Sequence, residues 1–251
     1  MTQKTALITG ATSGIGMETA RLLAVNNYRL ILTGRRKDRL GSLKQELMQS
    51  CPVYLLNFDI RSQKEIKTAL ENLPVEWRAI DVLINNAGLA AGYDPVAEAD
   101  IADWEAMIDT NVKGLLYISK EVSKWMIERK SGHIINISSI AGKEVYPMGS
   151  VYCATKHAVS AISKTMRIEL LPHQIKVSMI SPGAVETEFS LVRFKGDEEK
   201  ASQVYKGFTP LHAKDIAESI YFVLSRPAHV NIDDLLIMPS AQASARDFFR
   251  K

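Results

Sequence analysis

The chain has 251 residues, of which 46% are hydrophobic and 24% charged, and its formal net charge is +3. These values are typical of one globular domain with a buried core, and the charge is too small to indicate a nucleic-acid or membrane partner. Two cysteines are too few for a disulfide framework and too far apart for a CxxC metal site. No run reaches about 18 apolar residues, and the N-terminal residues lack a signal-peptide pattern. We therefore expect a cytoplasmic protein without a metal.

Short apolar runs alternate with helical patterns through most of the chain. The runs predict buried strands, since each is rich in Ile, Leu and Val and stops at Gly, Asn, Asp or Ser: KTALITG, YRLILTG, VYLLNFD, AIDVLINNAG, GHIINISS and IKVSMISPG. The helical patterns between them are IGMETARLLAVNN, RKDRLGSLKQELMQS, SQKEIKTALENL and DIADWEAMIDTNVKGLLYISKEVSKWMIERK. This alternation predicts an α/β fold with a parallel sheet covered by helices on both faces.

The last third of the chain adds further elements. Helices are expected over about 149–171 and 213–225, and DLLIM could close the sheet as a last strand. Residues 183–212 show little apolar periodicity after PGAVETEF. A segment of that length in a compact domain is typical of a functional loop, so we expect a substrate lid with some helix of its own.

The first predicted strand runs directly into TGATSGIG at residues 9–16, and then into a helix. Glycines at such a junction allow a tight turn, let the backbone approach a pyrophosphate and expose helix N-terminal amides to it. The spacing G-x3-G-x-G departs from the G-x-G-x-x-G dinucleotide fingerprint, which therefore cannot be claimed. An ordinary turn is the alternative. The position after the first strand favours a nucleotide site made by Gly10, Thr12, Ser13, Gly14, Ile15 and Gly16.

The second predicted strand ends in LTGRR. About 20 residues past the glycines, an NAD site would offer an Asp or Glu to the ribose 2′-hydroxyl. Arg35 and Arg36 cannot accept that hydrogen bond, but a guanidinium suits a 2′-phosphate well. Asp38 more simply lies on the surface of the next helix. A solvated basic turn is the alternative, but the balance favours NADP.

Two later strand ends extend the candidate cofactor site. Asp59, which precedes Ile60, is placed to accept a hydrogen bond from the adenine amine. NNAG at 85–88 supplies small residues where the backbone must pass close to the cofactor, among them Asn86, Ala87 and Gly88. Either stretch could be no more than a strand terminator.

The fifth predicted strand delivers Ser139 at its carboxyl end, the edge where open α/β sheets bind ligands. Tyr152 and Lys156 follow in YCATK, a spacing that places both side chains over one patch of a helix. Ser139 can hold a carbonyl oxygen while Tyr152 passes its phenolic proton to or from that oxygen. A free tyrosine titrates near about 10, and we expect the Lys156 ammonium to lower this pKa. The same ammonium can donate to nicotinamide ribose hydroxyls.

Asn111 lies in DTNVKG, within a long helical pattern where Asn and Gly114 are both poor helix formers. A local distortion there could hold a water against Lys156. Each residue has a simpler interpretation when taken singly: a turn hydroxyl for Ser139, an amphipathic surface pair for Tyr152 and Lys156, an exposed polar side chain for Asn111. Their joint placement is harder to obtain by accident.

These motifs, in this order and spacing, resemble those of the short-chain dehydrogenase/reductase family across nearly the whole chain. The resemblance implies a single-domain Rossmann-like doubly wound sheet of about seven strands, a nicotinamide cofactor and a catalytic set that falls on Asn111, Ser139, Tyr152 and Lys156. The family's PGxxxT pattern is matched as well, and it would hold the nicotinamide carboxamide through Pro182, Gly183, Val185 and Thr187. No key position departs from the family pattern.

A closer likeness concerns the substrate. EFSLVRFKGDEEKA and PAHVNI resemble the NADP-dependent 3-hydroxy acid dehydrogenases, which act on serine, allo-threonine or 3-hydroxybutyrate and are commonly tetramers. Arg193 and Lys195 lie in the first of these segments. A guanidinium inside a closed lid can hold a carboxylate bidentately, so we expect Arg193 to bind substrate. The alternative is a solvated lid face on which both cations pair with Asp197, Glu198 or Glu199.

Other functions remain open on the sequence alone. Within enzymes, the chain could be a 3-oxoacyl-carrier-protein reductase, with Arg129 and Lys130 meeting an acidic carrier, or a general carbonyl reductase. Cations at a helix C-terminus are also favoured for purely structural reasons. An NADPH-binding sensor or scaffold is the non-enzyme alternative, but it would have no need of a proton donor such as Tyr152.

Overall fold

The strands pair in the order that the alternating pattern predicts. In the computed structural model, which describes residues 3–251, seven parallel strands form one sheet in the order β3-β2-β1-β4-β5-β6-β9. They are β1 (Lys4–Ile8), β2 (Tyr28–Gly34), β3 (Val53–Asn57), β4 (Val82–Asn85), β5 (Gly132–Ile137), β6 (Ile175–Pro182) and β9 (Asp234–Ile237). The strand order reverses between β1 and β4, and this switch point opens a crevice at the carboxyl ends of the strands.

Helices cover both faces of the sheet, as expected. They are α1 (Gly14–Ala24), α2 (Lys37–Leu47), α3 (Gln63–Glu71), α4 (Ile101–Ile108), α5 (Leu115–Arg129), α6 (Ser150–Glu169), α7 (Glu188–Arg193), α8 (Glu198–Gln203) and α9 (Ala213–Leu224). Each face of the sheet packs against its own hydrophobic core. In β1, Ala6 and Ile8 pack on one face, and Leu7 packs on the other. Continuous apolar runs are what a strand buried on both faces requires, which explains the sequence pattern.

The long helical pattern at the middle of the chain is not one helix. It divides into α4 and α5, joined by a π-helical turn at Asp109–Gly114. The distortion predicted at Asn111 is therefore confirmed. At this turn Asn111 Nδ2 donates to Leu89 O at 2.8 Å and Oδ1 accepts from Leu89 N at 2.8 Å. The turn thus presents the Asn111 side chain to another segment, and such π-turns are frequent at functional sites.

Residues 183–212 contain short elements. The strands β7 (Val185–Glu186) and β8 (Leu211–His212) pair in parallel, with α7 and α8 between them. Within residues 3–251, no helix is long and apolar enough to cross a membrane.

Candidate active site

The glycine-rich turn after β1 requires its glycines. Gly10 and Gly14 have φ of +66° and +51°, in the left-handed region that favours glycine. A Cβ atom at Gly16 would lie 2.5 Å from both Gly10 O and Asn86 Nδ2. That amide nitrogen donates to Thr9 O at 2.9 Å and to Gly10 O at 3.2 Å, so NNAG fixes the shape of the turn. The turn and the end of β4 thus form one unit.

A cavity of about 350 Å³ lies at the carboxyl ends of the strands. Every residue predicted to bind cofactor lines it except Gly16, which is buried behind the turn. The lining set is Gly10, Thr12, Ser13, Gly14, Ile15, Arg35, Arg36, Asp59, Ile60, Asn86, Ala87, Gly88, Tyr152, Lys156, Pro182, Gly183, Val185 and Thr187. A groove with a glycine cradle, exposed guanidiniums and a buried lysine fits a phosphorylated dinucleotide.

The arginines after β2 have different surroundings. The Arg36 guanidinium donates from Nη2 to Thr12 Oγ1 at 2.9 Å and to Ser13 Oγ at 2.7 Å, which places it against the glycine turn. Arg35 is more exposed and lies 3.9 Å from Asp59. Asp59 also pairs with Arg61 at 2.6 Å, and hydrogen bonding from Arg61 lowers the pKa of this carboxyl. Asp38 lies exposed in the first turn of α2, as predicted.

The candidate catalytic residues converge on the far end of this cavity. Ser139 follows β5, and its Oγ accepts from Ala141 N at 3.1 Å and donates to Pro182 O at 3.4 Å. Tyr152 and Lys156 lie on α6, where both side chains are buried, and Lys156 Nζ is 5.9 Å from the Tyr152 ring centroid. The YCATK spacing therefore places both side chains on one side of α6, as predicted.

Asn111 joins this group through the backbone of Gly88. A methyl group at Gly88 would lie 3.2 Å from Asn111 Oδ1 and 3.5 Å from Lys156 Nζ, so the two side chains flank the same glycine. Asn111 Nδ2 also donates to Thr155 Oγ1 on α6 at 3.1 Å. The Lys156 ammonium donates to Ile137 O at 3.0 Å. These contacts fix the π-turn, the end of β5 and α6 relative to one another.

The pKa of Tyr152 departs from the sequence prediction. Burial raises it above the usual value of 10, while the positive charge of Arg193 and hydrogen bonding with Ser139 lower it. The net direction is opposite to the predicted lowering, because desolvation is the largest effect on the phenol and outweighs the lowering by Arg193. A lowering by Lys156 itself stays a prediction. Burial also lowers the pKa of Lys156, from 10.5 to about 8.

Arg193 and Lys195 point in different directions. Arg193 Nη2 donates to Tyr146 Oη at 2.9 Å, and its guanidinium carbon lies 5.0 Å from the Tyr152 ring centroid and 5.1 Å from that of Phe189. Lys195 Nζ instead binds Asp103 at 2.9 Å, and it is exposed. A second cavity, of about 1020 Å³, adjoins Ser139, Tyr152 and Arg193.

Several residues of the site were not found from the sequence. Tyr146 and Phe189 flank Arg193, and Gln242 near the C-terminus accepts from Ala184 N at 2.8 Å beside the PGxxxT loop. Tyr146 and Gln242 come from segments far from Arg193 and Ala184 in the chain, so their contacts leave no local signal. Phe189 lies four residues before Arg193 on α7, a helical spacing that could have indicated their contact.

The fold and this arrangement of Ser139, Tyr152 and Lys156 define a nicotinamide-dependent oxidoreductase of the Rossmann-like class. The family model described as short chain dehydrogenase matches residues 4–197. The chain belongs to this family.

Individual relatives are similar over nearly their whole length. The chain is 47% identical over 240 residues to the NADP-dependent 3-hydroxy acid dehydrogenase YdfG of Salmonella typhi, covering 95% of this chain and 96% of that protein. It is 42% identical over 238 residues to sulfoacetaldehyde reductase 2 of Chromohalobacter salexigens, covering 94% of each. Among solved structures, the closed form of serine dehydrogenase complexed with NADP+ superposes with a TM-score of 0.93 at 44% identity, covering 98% of this chain and 99% of that one.

Proposed function

We propose that the protein is an NADP-dependent dehydrogenase that interconverts the 3-hydroxyl and 3-keto forms of small 3-hydroxy acids such as serine, allo-threonine and 3-hydroxybutyrate. One observation carries the substrate class: the guanidinium of Arg193 lies within 5.0 Å of the Tyr152 ring centroid. A cation at that distance from the proton donor can bind the carboxylate of a short acid whose C3 oxygen meets Tyr152. The names of the relatives support the same class.

The residues at the glycine turn fit NADP. The turn would hold the pyrophosphate through Gly10, Ser13, Ile15 and their neighbours, and Arg35 and Arg36 would hold the 2′-phosphate. Lys156 would donate to the nicotinamide ribose, and Val185 and Thr187 would orient the carboxamide. When bound, the nicotinamide supplies or accepts the hydride at the substrate C3.

The proton moves through side chains of this chain. Ser139 holds the substrate oxygen, and Tyr152 donates its phenolic proton to that oxygen during reduction or accepts it during oxidation. Burial raises the pKa of Tyr152, which favours the protonated phenol that reduction needs. Lys156 and Asn111 would hold the residues around Tyr152 in place, since both side chains flank Gly88.

We also propose that residues 183–212 form the lid over the substrate. The lid carries Phe189 and Arg193 on α7, and Gly92 N donates to Arg193 O at 3.0 Å. Lys195 supports closure by pairing with Asp103 on α4. Closing such a segment excludes water and completes the site.

The carrier-protein reductase alternative loses its main support. Arg129 donates to Trp125 O at 3.3 Å and lies 3.5 Å from Asp81, and it also donates to Ile80 O. It therefore ties the end of α5 to the loop before β4. Lys130 adopts the left-handed conformation that ends the helix.

We further propose a cytoplasmic homotetramer. The resemblance to the 3-hydroxy acid dehydrogenases, which are commonly tetramers, supports self-association. Light scattering on the purified protein tests the subunit number, and a monomer would refute it.

A substrate panel tests the activity. With NADPH, malonate semialdehyde should be reduced with a much higher kcat/KM than propanal, and serine and 3-hydroxybutyrate should be oxidised with NADP. Equal kcat/KM for acids and neutral carbonyls would favour a general carbonyl reductase. NADPH binding without turnover of any member would favour the sensor.

A further inference from the structure

Glu188, in the first turn of α7, forms ion pairs with Arg36, the residue before α2, and with Arg39 in the first turn of α2. Its Oε2 lies 2.8 Å from Arg36 Nη1, and its Oε1 lies 2.5 Å from Arg39 Nη1. Hydrogen bonding with Arg36 lowers the pKa of the carboxyl, so it is ionised at neutral pH. Arg36 and Glu188 both line the predicted cofactor cavity. The pair therefore joins the lid segment to the 2′-phosphate side of the groove.

The donors of Arg36 are almost fully used. A guanidinium has five N–H groups. Nε and Nη2 donate to Thr12 Oγ1 at 3.1 and 2.9 Å, Nη2 also donates to Ser13 Oγ at 2.7 Å, and Nη1 donates to Glu188. A phosphate that approaches Arg36 bidentately must displace one of these acceptors. The carboxylate is the acceptor that also carries a negative charge, and two anions repel at short distance.

We propose that Glu188 determines cofactor specificity through Arg36. Its carboxylate pairs with the guanidinium until a ribose 2′-phosphate displaces it. This inference rests on the proposed use of NADP. Glu188 then competes with the 2′-phosphate for the Arg36 guanidinium, and with no other part of the cofactor. Affinity for NADP is thereby reduced, and release of the spent cofactor is favoured because the carboxylate returns to the guanidinium.

The same contacts exclude two simpler roles for Glu188. It is not a buried structural charge, because its side chain is 40% exposed, as Arg36 and Arg39 are at 42% and 50%. Nor does it cap α7, since the residue whose side chain accepts from Phe189 N is Thr187. Removal of its charge should therefore leave the fold intact.

Binding of fragments tests the proposal without turnover. Glu188→Gln should bind adenosine 2′,5′-bisphosphate about threefold to tenfold more tightly than wild type, the range expected for removing one or two exposed ion pairs. Affinity for 5′-AMP, which lacks the 2′-phosphate, should stay within about twofold, because exposed ion pairs act locally. Isothermal titration at low salt gives both constants. The difference between variant and wild type should shrink at high salt, since screening weakens the competing pair.

Glu186→Gln is the matched control. Glu186 is exposed on β7, close to Glu188 in sequence, and forms no ion pair within residues 3–251. It should leave both affinities unchanged. Glu188→Ala is a second variant that should tighten bisphosphate binding in the same direction, and melting by circular dichroism verifies that each variant is folded.

Weaker binding of the bisphosphate by Glu188→Gln would overturn the proposal, because the carboxylate would then be organising the guanidinium. Equal tightening of the bisphosphate and of 5′-AMP would also overturn it, because Glu188 would be acting on lid position alone. If wild type prefers the bisphosphate and the variants match it, the inference fails while the NADP assignment stands. If wild type shows no preference for the bisphosphate, the NADP assignment fails and the inference falls with it.

Discussion

The guanidinium carbon of Arg193 lies 5.0 Å from the ring centroid of Tyr152, beside the cavity that Ser139 also lines. Nη2 is used by Tyr146, but within residues 3–251 the buried Nε has no hydrogen-bond partner. A buried donor without an acceptor is costly in a folded protein, and a substrate carboxylate would satisfy it. Under the proposed function, the pair would therefore combine substrate binding with control of the proton-transferring group.

Arg193→Met should lower kcat/KM for serine or 3-hydroxybutyrate roughly 10- to 100-fold, as expected for losing a charged hydrogen bond of about 1.5 to 3 kcal/mol. Oxidation of an uncharged alcohol of similar size should change less. Arg193 lowers the pKa of Tyr152, so its loss should shift the rise of this residual oxidation to higher pH. Initial rates on both substrates across the pH range measure the two effects separately.

Lys195→Met is the matched control for Arg193→Met. Lys195 lies on the same segment but pairs with Asp103, so its replacement should leave the ratio of acid to alcohol activity unchanged. Equal losses on acid and alcohol in Arg193→Met would mean that the substitution disturbs the lid. No loss on either would remove Arg193 from the substrate site.

Tyr152→Phe should reduce kcat at least about 10²- to 10⁴-fold, the usual contribution of general acid–base catalysis. NADPH binding should stay within a few-fold, because the ring still packs against Phe189 at a centroid distance of 5.5 Å. Turnover assays and fluorescence titration with NADPH measure the two quantities. A variant that kept more than about a tenth of the wild-type kcat would exclude the tyrosine as proton donor.

The sequence was most informative where local rules act. Apolar runs predict the strands of the parallel sheet, and the poor helix formers around Asn111 predict the distortion at Asp109–Gly114. The pKa of Tyr152 could not be predicted, because its sign depends on burial and on Arg193, which comes from a distant segment. The pairing of Glu188 with Arg36 is equally non-local. Contacts of this kind depend on how separate segments pack, which a single sequence does not record.

Replacing Arg35 and Arg36 together with glutamine should raise KM for NADPH roughly 10- to 100-fold, since charge-assisted hydrogen bonds to phosphate contribute about 1.5 to 3 kcal/mol. KM for NADH should change little, because NADH lacks the 2′-phosphate. Steady-state kinetics with both cofactors check this. A similar rise in KM for NADH would indicate that the arginines support the glycine turn, to which Arg36 is bound through Thr12 and Ser13.

His133 is a buried titratable group that the chemistry does not use. It lies on β5, and its Nε2 is 2.9 Å from Ser178 Oγ on β6. Burial, followed by the charges of Lys176 and Lys4, lowers its pKa from 6.5 to about 3. The folded protein therefore keeps this imidazole neutral at a pH where the unfolded chain protonates it.

The consequence is a loss of stability in mild acid. Between pH 6.5 and about 3 the unfolded state binds one more proton at His133 than the folded state, so stability falls as pH falls through this window. By pH 5 the loss should be about 2 kcal/mol at roughly 1.4 kcal/mol per pH unit. The carboxyls with lowered pKa values, such as Asp59 and Glu188, add their own losses at lower pH. His133→Gln, which can still bond to Ser178, should flatten urea-unfolding stability between pH 7 and about 5, while His229→Gln at an exposed position should not. An unchanged slope in His133→Gln would show that another group controls acid stability.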